Sequence, residues 1–207
     1  MAKLNSIADL RRVIPEPRPT TKVKILEALD EQSIDFLKRC PFALVSTTSP
    51  EGTIEVSPKG DEPGFIRVED SRTLLIPERV GNNLAFWLSN MIANGRIGMI
   101  CLVPATGETL RLSGTAEVFD DPDLVASLSS LGKPALLATR VKIKHCYFHC
   151  ARSIVRAGLW KPETWPAAGR ISFGKIIAPR MGQGEELADQ IDTGVAGAYK
   201  ERLWVNS

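Results

Sequence analysis

The sequence lacks the features that announce several common functions. Its 26 basic and 24 acidic residues nearly cancel, and no long basic block stands out, so bulk attraction to nucleic acid is not expected. The longest apolar stretch, around Ile97 to Val103, is far short of the roughly 20 residues that cross a bilayer, so no membrane association is expected. The N-terminus meets charge and proline before a signal-peptide core can form, which points to a cytoplasmic protein. Four cysteines, Cys40, Cys101, Cys146 and Cys150, are sparse for this length and read as buried free thiols.

Catalytic and nucleotide motifs are missing too. There is no G-x-S-x-G elbow, and only two histidines are available as a base, which argues against a serine hydrolase. There is no G-x-G-x-x-G after a strand and no G-x-x-x-x-G-K-S/T, so neither a Rossmann site nor a P-loop is encoded. Any nucleotide-like ligand must be held in another way. The cluster HCYFHC offers His145, Cys146, His149 and Cys150 as zinc ligands. The alternation just before it predicts a strand, which separates the imidazoles by roughly 13 Å and turns the cysteines to the other face. No metal site is expected.

What is present reads as an ordinary globular chain of 207 residues, 43% hydrophobic and 24% charged. Single-domain organisation over residues 1–207 is the simplest account, with helices at about 20–40 and a helical tail at about 184–207. After the proline-broken IPEPRP, Thr20 or Thr21 is placed to cap a helix carrying Val23, Leu26 and Leu29, and Ser33 to cap a second that ends at Pro41. From Phe42 the pattern becomes β: FALVSTT and TIEVS form one hairpin, FIRV and TLLI another. The segment SPKGDEPGF between them reads as a loop because of its Pro and Gly content. Pro77 is expected to stop the fourth strand, and LAFWLSNMIANG to be an amphipathic helix ending at Gly95.

RIGMICLV and TLRLSGTAEVF are the next strands, the second with Leu110 and Leu112 opposing Thr109 and Arg111. A helix starts at Asp121 and Pro122, a further helix is expected around Pro134 to Thr139, and RVKIKHCYFHC is again a strand. Six strands within about eighty residues, with one helix among them, predict a closed or partly closed antiparallel barrel. The fold class is α+β, mainly β, with peripheral helices.

The best candidate site is PERVGNN. A helix start presents free N–H groups, Arg79 adds a forked cation, and Asn82 and Asn83 add amide donors, a set suited to a phosphomonoester. The same residues also fit a plain helix cap with a solvated arginine. Lys59 in SPKGD is open to the same two readings.

Taken in order, SPKGD, LLIPERVGNN and GETLRLSG resemble the pyridoxamine 5′-phosphate oxidase-like, FMN-binding split-barrel family, over roughly Phe42 to Trp160. The resemblance implies a homodimer of antiparallel split β-barrels with FMN between subunits. Val56, Ser57, Pro58 and Lys59 would face the flavin ring, followed by Ile76 and Pro77. Asn82 and Asn83 stand where the oxidases carry an Arg-Lys pair, which shifts phosphate neutralisation to Arg79 or to another cation such as Arg152. Thr109 stands where the oxidases place a glutamine, Arg111 shares its face, and Trp160 would pack on the cofactor from the partner. The oxidases' C-terminal Arg-x-His element has no counterpart. The implied function is therefore an FMN-dependent oxidoreductase acting on another small organic substrate. Alternatives within the fold are a non-catalytic flavin carrier or sensor, a haem protein using His145 or His149, and a deazaflavin protein.

Overall fold

The computed structural model describes residues 3–204. Three short helices come first, α1 (Ile7–Arg11), α2 (Pro19–Lys22) and α3 (Glu31–Lys38). The first is fixed by a capping box between Ser6 and Asp9. The second stops at Lys22 instead of running on through Val23, Leu26 and Leu29. The chain is extended there because Leu26 exchanges both backbone hydrogen bonds with Cys146. In α3 the cap is Asp30, whose carboxylate accepts from the Ser33 N–H at 2.8 Å; Ser33 itself lies one turn inside.

Seven strands follow: β1 (Phe42–Thr48), β2 (Ile54–Gly60), β3 (Arg67–Asp70), β4 (Thr73–Glu78), β5 (Arg96–Leu102), β6 (Thr109–Phe119) and β7 (Leu137–His149). Helix α4 (Phe86–Asn94) sits between β4 and β5, and α5 (Pro122–Ser127) between β6 and β7. Gly95, at φ +66°, ends α4 as its spacing predicts. Beyond the sheet lie α6 (Arg152–Arg156) and α7 (Phe173–Ile177), both missed by the sequence reading, and α8 (Glu185–Glu201).

Three sequence expectations are corrected by sheet position. SPKG belongs to β2, which hydrogen-bonds to β1 alone, and an edge strand tolerates the missing N–H of Pro58. Only residues 61–65 form the loop. Pro77 lies within β4, paired with Ala138, and the strand ends one residue later. The segment around Pro134 to Thr139 is not helical: β7 begins at Leu137, drawn into register with Glu78.

All strand pairs are antiparallel, in the order β2-β1-β5-β6-β7-β4-β3. The fold is thus mixed α and β with one seven-stranded antiparallel sheet, and β2 and β3 leave it open. The expected barrel is not closed by hydrogen bonds. The sheet is nevertheless strongly curled. Flat, it would hold β2 and β4 about 24 Å apart, five strand spacings, yet Lys59 on β2 and Glu78 on β4 meet at 2.7 Å. Inside the curl the alternating residues of β1, β4, β5, β6 and β7 form the core, with Trp87 of α4 fully buried at one end. Leu75 faces the other way, onto Leu128, Ala135 and Ala138.

The long β6–β7 pair slips register between Ser113 and Gly114, a bulge that bends both strands. A Cβ on Gly114 would lie 1.9 Å from the Lys142 carbonyl oxygen, so no side chain fits. Gly98, on β5, faces open space. Gly114→Ala should therefore cost about 1–3 kcal/mol or more in urea unfolding, while Gly98→Ala should stay within about 0.5 kcal/mol of wild type. Equal effects would refute this account of the bulge.

Candidate functional site

The seam where the curled sheet nearly closes is a cleft of about 620 Å³. Its walls are Ser57 to Gly60 of β2, the end of β4 from Pro77, and the following turn to Asn82. The strand β3 pairs with β4 only as far as Leu75, so the last residues of β4 are uncovered on that side and line the opening. Phe65 and the last two described residues, Leu203 and Trp204, complete it.

Two ion pairs cross this cleft. Lys59 Nζ lies 2.7 Å from Glu78 Oε2, with only 10% and 5% of the two side chains exposed, and 3.9 Å from the centroid of the Trp87 ring. Burial pushes the Lys59 ammonium below the usual lysine range, and the attraction of Glu78 opposes this without cancelling it. Glu78 Oε1 in turn accepts from Asn82 Nδ2 at 2.8 Å, and Asn82 Oδ1 accepts from the Ala85 N–H, so Asn82 anchors the approach to α4.

The second pair is Arg79 with Asp61. Arg79 donates through Nε to Asp61 and through Nη2 to the Leu128 carbonyl at 2.8 Å, while Nη1 is buried without a partner among the described residues. The Asp61 side chain is 1% exposed. It also accepts from Ser130 Oγ at 2.7 Å, from Trp204 Nε1 at 3.1 Å and from the Glu62 N–H at 2.8 Å. Burial alone would raise its pKa, but the bonds from Ser130, Arg79, the Glu62 N–H and Trp204 outweigh it and hold the carboxylate below its ordinary 3.8.

Of the residues singled out from sequence, the cleft gathers Ser57, Pro58, Lys59, Pro77, Arg79 and Asn82. Others lie elsewhere in the chain. Val56 and Arg111 line a separate trough on the outer face of the sheet. Ile76 is fully buried in the core, and Asn83 is exposed outside the cleft lining. Thr109 pairs with His149 at the start of β6. Trp160 Nε1 donates to the Thr106 carbonyl of its own β5–β6 turn at 2.7 Å. Arg79 is not a solvated cation: it is paired with Asp61, and Nη1 is the one nitrogen of its guanidinium left without a bond among the described residues. Sequence reasoning missed Asp61, Glu78, Ser130 and Trp204. The first two were visible as acids beside the very cations chosen, in KGD and ER.

The candidate metal cluster is spread along β7. Cys146 is buried on one face, His145 bonds Ser113 on the other, and no three metal-competent side chains converge among the described residues. Three cysteines are buried and Cys150 is exposed, and all four are free.

The architecture is thus an antiparallel sheet curled to a seam with a cleft across it. A family model described as pyridoxamine 5′-phosphate oxidase matches residues 29–150. Because that match takes in more than half of the chain, the protein belongs to this family. No curated protein matches it. Among solved structures, HupZ of Group A Streptococcus is 17% identical, covering 58% of this chain and 93% of its own, with a TM-score of 0.46. A putative pyridoxamine 5′-phosphate oxidase of Lactobacillus delbrueckii is 19% identical over 59% of this chain and 95% of that one, also at 0.46. The FAD binding protein of Mycobacterium smegmatis is 17% identical, covering 60% and 97%, at 0.41.

Asp61→Asn leaves Arg79 largely buried, 14% exposed, without its counter-charge, and should cost about 3–5 kcal/mol near neutral pH. The pH dependence has a definite sign. Because the folded pKa of Asp61 lies below 3.8, its stabilisation is present above 3.8 and is lost as pH falls through the lowered value. The gap between wild type and variant in urea unfolding should therefore narrow below 3.8; a gap independent of pH would rule out an ionised Asp61 as its source.

Proposed function

We propose that the seam cleft holds FMN and that the chain works as a homodimeric, FMN-dependent oxidoreductase on a small organic substrate. The observation that carries this is the convergence of two segments. Of the residues that the family resemblance assigns to the cofactor, Ser57, Pro58 and Lys59 of β2 and Pro77, Arg79 and Asn82 at and beyond the end of β4 share one cleft, although β2 and β4 stand five places apart in the sheet.

The cleft fits a flat ring. Pro58, Phe65, Pro77 and Trp204 offer apolar faces, and the free side of edge strand β2 offers backbone groups to ring nitrogens and oxygens. The phosphate fits less simply. Both cations in the lining, Lys59 and Arg79, are already paired with carboxylates, so a phosphate would rest on the backbone of Val80 and Gly81, on Asn82, and on the unpartnered Nη1 of Arg79. When bound, the flavin supplies the redox chemistry. The protein's part is to orient the ring and exclude water from one side, with Lys59 as a buried positive charge nearby. No histidine lines the cleft among the described residues, which favours flavin over haem there.

The homodimer belongs to the same proposal. Thr109, Arg111 and Trp160 lie away from the cleft of their own chain, and reach a cofactor only if a second copy delivers them. No described helix is long and apolar enough to cross a membrane, and a cytoplasmic setting fits four free thiols.

Freshly purified protein should show a flavin absorbance spectrum, or quench the fluorescence of added FMN; a colourless protein that does neither refutes the proposal. Arg79→Lys keeps a cation beside Asp61 but loses the forked donor set, so FMN should bind about tenfold more weakly while riboflavin is unaffected. Equal losses for both would exclude Arg79 from the phosphate. Sedimentation should give a dimer, and a monomer that binds FMN at full strength would remove the second copy from the site.

A further inference from the structure

Residues 170–204 carry α7 and α8, and the two helices are fastened to each other. Asp192 of α8 accepts from the Gly174 N–H at 2.9 Å and from the Ser172 hydroxyl, while Arg170 Nη2 donates to the Asp192 carbonyl at 3.0 Å. The backbones touch as well: a Cβ on Gly174 would lie 2.0 Å from the Ala188 carbonyl oxygen. Ala178 and Ala188 are buried here, yet neither belongs to the apolar cores on the two faces of the curled sheet. The hairpin is thus a body with its own small core.

Its attachments to the sheet are light. It is entered through residues 166–169, Pro-Ala-Ala-Gly, which are exposed throughout, have no regular structure and make no hydrogen bond among the described residues. A Cβ on Gly169 would meet nothing within 4 Å. At the far end Trp204 Nε1 donates to Asp61 Oδ1 at 3.1 Å. Among the described residues this is the only hydrogen bond between 170–204 and the rest of the chain, and no ion pair joins the two. Asp61 does not depend on it, since Arg79, Ser130 and the Glu62 N–H donate to the same carboxylate. The bond can therefore break without loosening the sheet, and the two residues it holds, Leu203 and Trp204, stand in the wall of the seam cleft. Segments that open over ligands are drawn from such weakly tied parts of a fold.

We propose that the α7–α8 hairpin is a hinged lid on the seam cleft, swinging as one body about residues 166–169, with the Trp204–Asp61 hydrogen bond as its latch. Latched, Leu203 and Trp204 narrow the opening, so a ligand enters or leaves only while the indole is off Asp61. Unlatching hands one indole N–H and one carboxylate lone pair to water and breaks no bond within the sheet or the hairpin, which makes it a small step. As a control on the cleft proposed to hold FMN, the lid rests on that reading; the latch and the hinge do not depend on what the cleft holds.

Stopped-flow quenching of FMN fluorescence by the flavin-free full chain reads the latch. In wild type the association rate should level off as FMN is raised, because opening comes first. Trp204→Phe keeps an aromatic ring at the cleft but removes the latch donor. It should raise that ceiling and the dissociation rate together by about tenfold, and leave the affinity within about twofold, since the latch is lost from the free and the bound state alike. Gly169→Pro, which stiffens the hinge, should lower the ceiling at least about twofold. A rate that climbs linearly with FMN, a ceiling that Trp204→Phe leaves in place, or a variant that raises dissociation alone, as a fixed wall would, each overturns the lid. So does a ceiling untouched by Gly169→Pro, which would confine the motion to the last residues. If the protein takes up no FMN, the flavin reading fails and the lid is tested without it, in protein labelled with 5-fluorotryptophan. Trp204→Phe identifies the Trp204 signal among the four. Fluorine relaxation dispersion on the microsecond-to-millisecond scale of lid motions should appear at Trp204 and be absent at Trp87 and Trp160, on the sheet side of the hinge. No dispersion at Trp204 overturns the lid.

Discussion

The contact between Lys59 and Glu78 is the constraint on which the shape depends. It joins two strands that the hydrogen-bond ladder keeps at opposite ends of a six-strand span. A buried ion pair is a poor source of net stability, since desolvating both charges offsets most of their attraction. Its value is positional: it fixes how far the sheet curls and therefore how wide the seam stands open. The Trp87 ring under the ammonium and the Asn82 amide on the carboxylate tie that width to α4.

Much of the fold was legible because strand alternation survives in sequence. Leu110 and Leu112 against Thr109 and Arg111, or Val141 and Ile143 against Lys142 and Lys144, mark inside and outside without help from tertiary structure. The errors fell where long-range position decides. Pro58 and Pro77 look like strand breakers until β2 is known to be an edge and β4 to pair with β7 at Pro77. Leu26 fits a helix until the two hydrogen bonds it exchanges with Cys146 claim its backbone.

The candidate site was legible in membership but not in charge. Sequence motifs picked out β2 and the turn after β4, and both line the cleft. What they could not convey is that Lys59 and Arg79 spend their charge on Glu78 and Asp61, each acid lying within two residues of the other pair's cation. A lysine two residues from an aspartate on an extended segment gives no hint that each will find its partner on another element. Only the curl of the sheet brings 59 to 78 and 61 to 79.

Asp61 also binds the indole of Trp204, so the last described turn of the chain forms part of the cleft wall. The residues after α8 are thereby tied to the loop after β2, so a substitution in either segment reshapes the same wall of the opening.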